Sequence, residues 1–433
     1  MQDSISGDGD VLALQRQYEA FPYPPRDVAA EAGGLSTGSP SHILEIDHYV
    51  FAGRRDWSRP FRALVAGGGT GDAAIMLGQQ CADIGCPADI TYLDLSASSM
   101  AIAERRARER GLTNIAFRQG SLLDIATHRW PPFDYIDCCG VLHHLSRPED
   151  GLRALASVLH PEGGIGIMLY GRYGRTGVYD IQEIMRGILR PGEDQALQIP
   201  ALRALLAQLP GSNRLVRNPV IRHDGDQPDA ELVDIFLHRQ DRAYTVPEIA
   251  ALCDSAGMRI ESFVPSGRYD PSTFIADESL RQRFAALSST EKAAAAELIG
   301  GNIAKHVFYA LPAAAPARRS TLSATAIPVL KHRTGAALAA KITPESAFQA
   351  RFNDLTVLAA APPLTAEILR RIDNSASLED IYFDLTLGRP GIDWHGFISQ
   401  FQVLYGALHG LLNAMFLRHD PQGSPAVSRK PKP

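Results

Sequence analysis

Ala63-Leu-Val-Ala-Gly-Gly-Gly-Thr-Gly-Asp-Ala-Ala74 is the stretch from which the rest of the chain is read. The apolar run Arg62–Ala66 has the length and composition of a buried strand. Gly67, Gly68, Gly69 and Gly71 follow as a turn that lets backbone approach a ligand closely. From Asp72 the apolar spacing becomes helical, through Ile75, Met76 and Leu77. Strand, glycine turn and helix N-terminus together form the nucleotide-binding corner of a doubly wound α/β sheet. Glycine loops also merely turn corners, so the neighbouring segments decide.

Those neighbours continue the pattern. Asp89–Leu95 reads as a second strand with a carboxylate, Asp94, at its end. An acid there can accept two ribose hydroxyls at once; its bland alternative is the N-cap of a helix over Ser98–Arg110. Ile115 opens a third strand that runs into the loop Gly120-Ser121-Leu122-Leu-Asp124. Phe133-Asp-Tyr-Ile-Asp-Cys-Cys-Gly140 reads as a fourth, leading to Val-Leu-His143-His144-Leu. Gly163–Tyr170 is a fifth, after the turn Leu159-His-Pro-Glu-Gly163.

Over Arg62–Tyr170 these residues resemble the class I S-adenosylmethionine-dependent methyltransferases. GGGTG is similar to their first motif, YLDLS to the second, FDYIDCCGVLHHL to the fourth, and LHPEGGIGIMLY to the following turn and fifth strand. The resemblance implies a Rossmann-like, seven-stranded α/β sheet with helices on both faces and S-adenosyl-L-methionine as cofactor. It places the cofactor contacts at Gly67, Gly68, Gly69, Gly71, Asp94, Leu95, Gly120, Ser121, Leu122 and Gly140. Two positions depart from the family pattern. An acid usually stands two residues before the first glycine, where this chain has Val65, so the contact to the methionine amino group comes from backbone or elsewhere. An acid commonly meets the adenine amino group where this chain has Ser121; the Ser121 hydroxyl can accept that bond, and Asp124 is the alternative. A nicotinamide site fits less well, because the glycine spacing is not GxGxxG.

Composition narrows the function classes. A length of 433 residues is ample for two or three domains, and 45% hydrophobic with 21% charged residues is ordinary for a globular protein. A net charge of −5 argues against general nucleic-acid or anionic-membrane binding. No run approaches the length of a membrane span. The first ten residues are acidic and polar, unlike a secretory leader, and Cys81, Cys86, Cys138, Cys139 and Cys253 lack paired C-x-x-C spacing. The expectation is a cytoplasmic protein with reduced thiols and no metal.

The chain divides into an N-terminal cap over 1–60, a methyltransferase domain over 61–312 interrupted by an insertion at 171–240, an accessory domain over 321–417 and a disordered tail over 418–433. Leu14–Pro25 reads as a short helix stopped by prolines, serving as a lid over the cofactor or as an arm packed on the sheet. Ser39–Phe51 reads as a second helix with Pro40 near its first turn. Thr245 and Glu248 form a capping box for a helix that ends at Gly257, followed by a sixth strand over Met258–Val264 and a seventh over Lys305–Leu311. Ala313–Ser320 reads as a linker. The accessory domain reads as mainly helical, or as a winged helix. Its nine basic residues against eight acidic ones between Arg318 and Leu417 lack a phosphate-binding footprint, which favours a protein-contact or homodimerisation module.

Candidate chemistry gathers after the fourth and fifth strands. His143 and His144 are candidate bases or acceptor contacts, and alternation allows one of them to face the acceptor; the pair is otherwise packing. Tyr170, Arg172, Tyr173, Arg175 and Tyr179 follow the fifth strand among glycines. Tyr173 is a further catalytic candidate. Tyr170, Arg172, Arg175 and Tyr179 are candidates for holding an acidic acceptor, against the alternative of a solvated turn. His238–Tyr244 is a similar cluster that could face the same pocket. The reading is a methyltransferase acting on a protein side chain or a small molecule, with a non-catalytic S-adenosylmethionine-binding regulator as the competing class.

Overall fold

The computed structural model describes residues 12, 14–189, 195–343, 345–389 and 391–419. The tail expected at 418–433 lies outside the described residues apart from Arg418 and His419. Seven strands form one sheet: β1 Phe61–Ala66, β2 Ala88–Asp94, β3 Ile115–Gln119, β4 Phe133–Cys139, β5 Leu159–Tyr170, β6 Met258–Phe263 and β7 Lys305–Pro312. Their order is β3-β2-β1-β4-β5-β7-β6. Neighbours from β3 through β5 are parallel, and β7 runs antiparallel to β5. The near-continuous apolar runs of β1 and β4 are explained by this arrangement, because parallel strands are covered on both faces. The chain leaves β1 toward β2 and β3 on one side and returns to β4 and β5 on the other. Ligands bind at such a reversal, outside the carboxyl ends of the strands.

Two helices frame that reversal. Helix α1, Asp72–Asp83, begins at Gly71, whose φ of +102° is left-handed and closes the glycine turn. Helix α2, Ala97–Glu109, is capped by Ser96, whose hydroxyl accepts from the Ser99 N–H. Capping therefore falls to Ser96, and Asp94 is left free for another task.

Contacts cluster the chain into two units that interleave along the sequence. One comprises the described residues up to His42, Pro60–Ile260 and Gly301–Ala314; the other comprises Ile43–Arg59, Glu261–Gly300 and the described residues from Ala315. This partition differs from a single cut at the Ala313–Ser320 linker. In the first unit, the segment expected as an insertion folds as α4 Val178–Ile188, α5 Gln195–Leu206 and α6 Asp229–Phe236, after α3 Pro148–Ser157. Val178, Ile181, Met185, Leu202, Leu232 and Phe236 give it an apolar core of its own. Helix α7, Val246–Ser255, follows behind the expected Thr245–Glu248 capping box.

In the second unit, helices Thr365–Arg371, Leu378–Gly388 and Trp394–Tyr405 pack around Ile368, Ile381, Phe397 and Phe401. Two antiparallel strand pairs accompany them: β8 Ile327–Leu330 with β11 Met415–Arg418, and β9 Ala347–Phe352 with β10 Leu355–Ala360. The helix Ile43–Phe51, far upstream, belongs here because His48 and Tyr49 pack on His409 and Phe416, and Glu45 forms a buried ion pair with Lys331. Among the described residues no helix is long and apolar enough to cross a membrane.

Candidate active site

The carboxyl ends of β1, β2, β4 and β5 enclose a cavity of about 620 Å³, and all of its lining residues belong to the first unit. The glycine turn forms one wall. Gly69 has a φ of +51°, and a Cβ there would stand 2.5 Å from the Tyr23 carbonyl oxygen. The turn is thus tight because the N-terminal segment lies on it. The Gly69 N–H donates to Asp94 Oδ2 at 2.8 Å, and the Ser96 N–H donates to Asp94 Oδ1 at 2.8 Å. Burial pushes the Asp94 carboxyl up from its ordinary range, and these two N–H donors oppose the shift. Asp94 lines the cavity, and each carboxylate oxygen retains capacity to accept a further hydrogen bond.

Every cofactor residue expected from the sequence lines the cavity except Gly71, which acts at the start of α1. Ser121 lines it while accepting from the Leu123 N–H at 3.1 Å; Asp124, the alternative, is exposed and lies off the lining. Cys139 also lines it, its thiol pushed up to about 12 by burial and by Asp137, so it stays protonated.

The N-terminal segment closes this side. Residues 14–20 are helical, and the Thr70 N–H and hydroxyl donate to the carbonyls of Tyr23 and Pro24 at 3.2 and 2.7 Å. Arg26 Nε donates to Asp72 at 2.9 Å, and buried Arg106 joins Glu31, Asp72 and the Thr70 carbonyl.

The opposite wall is made of side chains. His144 lines the cavity; His143 does not. His144 Nδ1 lies 3.0 Å from the Gln240 carbonyl, to which it must donate, so neutral His144 keeps an unprotonated Nε2. His143 is buried, with both ring nitrogens unpartnered among the described residues and its ring centre 4.0 Å from that of Tyr170. Burial first, then His144 and Arg175, holds His143 well below the ordinary histidine range, so it is a neutral packing residue. Tyr170 donates to Asp234 Oδ2 at 2.7 Å and Tyr18 to Oδ1 at 3.4 Å. Tyr18, Asp234 and Lys305 line the cavity with Tyr170, and the Lys305 ammonium makes no hydrogen bond or ion pair among the described residues.

The remaining substrate and catalytic candidates lie elsewhere. Arg172, Tyr173, Arg175 and Tyr179 do not line the cavity. The turn that carries them is pressed against residues 303–304: a Cβ at Gly171 would come 2.2 Å from the Ile303 carbonyl, and one at Gly174 would come 2.3 Å from the Ala304 nitrogen. Its glycines serve backbone packing, not ligand approach. Arg172 is exposed and pairs with Glu248 at 2.7 Å, whereas Arg175 is buried, pairs with Asp241 at 3.0 Å and stacks 3.7 Å from the Tyr170 ring centre. The cluster 238–244 stands behind the wall, with His238 stacked on His144 at 3.8 Å.

His144, Asp234 and His238 bring ligand-type atoms within 4.8 Å of one another. The Gln240 N–H donates to His238 Nδ1 at 3.1 Å, which puts the proton of neutral His238 on Nε2, beside the Tyr18 hydroxyl at 3.4 Å. A protonated nitrogen and a stacked pair of rings suit a hydrogen-bond relay better than a shared ion.

Sequence reasoning missed Tyr18, Asp137, Asp234 and Lys305. Asp234 carried one signal, a carboxylate within the apolar run Leu232, Val233, Phe236. Lining carboxylates Asp72, Asp94, Asp137 and Asp234 outnumber the cations Arg26 and Lys305. That balance suits a ligand carrying a sulfonium and an ammonium, while paired acceptors at Asp94 suit a ribose.

The family described as a methyltransferase domain matches residues 64–165. An uncharacterized protein of a Synechococcus strain, syc1184_c, is 32% identical over 321 residues, covering 71% of this chain and 72% of its own length. The tRNA 5-carboxymethoxyuridine methyltransferase of Escherichia coli K12 is 32% identical over 114 residues, which is 26% of this chain and 41% of that enzyme. Among solved structures, PKMT2 from Rickettsia typhi in complex with AdoHcy superposes with a TM-score of 0.61 at 14% identity, covering 92% of this chain and 77% of that one, a likeness of fold. The glycine turn, the strand-end acid and these relatives agree: the chain belongs to the class I S-adenosylmethionine-dependent methyltransferases and is an enzyme that uses S-adenosylmethionine.

Proposed function

We propose that the enzyme methylates an oxygen or nitrogen nucleophile that reaches the cavity at the wall of His144, Tyr170, Asp234 and Lys305. The observation that carries this reading is the place of His144, which lines the cavity with Nδ1 committed to the Gln240 carbonyl, so that the neutral ring has its proton acceptor at Nε2. Bound S-adenosylmethionine supplies a methyl group already activated by its sulfonium. The protein's share is to orient the acceptor, exclude water and remove a proton where the nucleophile carries one. Asp94 and the glycine turn would hold the nucleoside end; the N-terminal residues Tyr18–Arg26 would cover it. Lys305, a lining cation whose ammonium is unpaired among the described residues, suits an acidic group on the acceptor, the task expected of Arg172 and Arg175.

A protein side chain is the acceptor we favour, because the chain carries, besides the unit that holds the cavity, a second unit with an apolar core of its own that could recognise a macromolecule. A small acceptor is the second reading, supported by the burial of Tyr170, His144 and Asp234. Incubating the enzyme and cell extract with methyl-labelled S-adenosylmethionine separates them. Label retained on protein and localised by peptide mass analysis supports the first, and label confined to small metabolites replaces it with the second. His144→Ala should lower kcat while leaving cofactor affinity intact; unchanged kcat removes the base role.

A further inference from the structure

Val65 leaves the first strand without the acid that the resembled family carries two residues before the glycine turn. The parallel register of β1 and β4 sets Val65 opposite Asp137. Asp137 is 1% exposed, yet it is part of the cavity lining together with Val65, Ser41 and Met168. Its Oδ2 accepts from the Ser41 hydroxyl at 2.7 Å and from Tyr135 at 3.5 Å. Its Oδ1 accepts no hydrogen bond among the described residues. Neither partner carries a positive charge, and burial pushes the carboxyl up to about 6 despite both donors. A carboxylate kept in a nearly closed place without a cation is costly to the empty protein.

We infer that Asp137 holds the α-ammonium of the cofactor's methionine moiety, taking over from the adjacent strand the role left vacant at Val65. This rests on the S-adenosylmethionine reading and adds the residue for one end of the ligand. The ammonium is a cation with three donors, which matches a carboxylate whose Oδ1 has open lone pairs. Moving an acid from β1 to the paired position on β4 shifts it by one interstrand spacing, about 4.8 Å, within the reach of the ligand's flexible chain.

Calorimetric titration of the whole chain with two probes tests the assignment. S-adenosylhomocysteine carries the ammonium; 5′-methylthioadenosine keeps the nucleoside and sulfur but lacks the aminocarboxypropyl chain. Asp137→Asn should weaken S-adenosylhomocysteine by about 10- to 100-fold, the range for one charge-assisted hydrogen bond, and leave 5′-methylthioadenosine within about twofold. Adding Val65→Asp to that variant should restore part of the lost affinity. The ligand-free melting temperature of Asp137→Asn at neutral pH should stay level or rise. Equal losses for both probes, unchanged S-adenosylhomocysteine binding, or a sharp fall in the ligand-free melting temperature would overturn the assignment. If the unaltered protein bound neither probe, the cofactor reading itself would fail instead.

Discussion

On the β1–β2 side of the cavity, the atoms that face inward are fixed by main-chain hydrogen bonds: the Gly69 and Ser96 N–H groups on Asp94, and the Thr70 N–H on the Tyr23 carbonyl. On the β5 side, the wall stands on side chains drawn from four distant segments: Tyr18, His144, Tyr170 and Asp234, backed by Arg175, Asp241 and His238. Main-chain geometry holds a site for a constant ligand with little dependence on its surroundings. A side-chain network can be rebuilt residue by residue for a different acceptor, but each member leaves buried partners exposed to loss. The nucleoside end is thereby conservative in construction and the acceptor end adjustable.

The sharpest way to break this contrast is at Arg175. Its guanidinium and Asp241 are both buried, at 3% and 0% side-chain exposure, so Arg175→Ala strands a carboxylate and should cost about 3–5 kcal/mol of stability. Denaturant unfolding measures it, and the fraction that remains folded should still bind S-adenosylhomocysteine. Normal stability with impaired acceptor turnover would return Arg175 to the acceptor site.

Asp137 provides the next largest effect, with the opposite sign. Burial pushes its carboxyl up to about 6, against an ordinary value of about 3.8, so the folded state holds its proton more tightly. The stability this confers is full below about pH 4 and is lost as pH rises through 6. The difference between the two values corresponds to about 3 kcal/mol. Asp137→Asn should therefore stabilise the ligand-free protein above pH 6 and flatten its pH dependence between 4 and 6, as read by thermal melts. A wild-type stability that rose across that interval in step with the variant's would show that Asp137 is not its source.

Asp94→Ala tests the main-chain wall. It removes the acceptor for two N–H groups and the proposed ribose contact, and cofactor affinity should fall by about 1.5–3 kcal/mol in calorimetry. Unchanged affinity in a folded variant would take Asp94 out of the site. The smallest effect belongs to Arg172, half-exposed in its pair with Glu248. Arg172→Ala should change stability by less than about 1 kcal/mol and leave turnover alone. A marked rise in acceptor KM would show that the turn reaches substrate after all.

The same contrast explains what could be read from the sequence. Gly67–Gly69, Asp94, Leu95, Gly120–Leu122 and Gly140 were legible because each sits at a strand end, where a short local pattern fixes both conformation and direction. The alternating strand–helix order gave the seven-stranded sheet for the same reason. Tyr18, Asp234 and Lys305 meet through tertiary structure alone, and no spacing in the chain announces them. Arg172 and Arg175 stand off the cavity lining although a turn rich in arginine, tyrosine and glycine has the composition of a ligand loop; the packing of Gly171 and Gly174 on residues 303–304 has no signal in the sequence. The helix at Ile43–Phe51 was visible, but its partners lie at the other end of the chain.

That helix has a consequence for how this protein can be inherited or dissected. Glu45 is completely buried and is neutralised by Lys331; Gly53 packs so tightly on the Leu417 carbonyl that a Cβ would stand 2.2 Å from it. A gene truncated at the Ala313–Ser320 linker would keep Ile43–Arg59 and Glu261–Gly300 while discarding His409 and Phe416, on which the first segment packs, and Gly410, on which Gly267 of the second packs. It would encode a catalytic sheet trailing two orphaned pieces, one of them with an uncompensated carboxylate meant for an interior. Recombination by a single crossover cannot transplant either unit intact, so the second unit is bound to the lineage of the first by the threading of the chain.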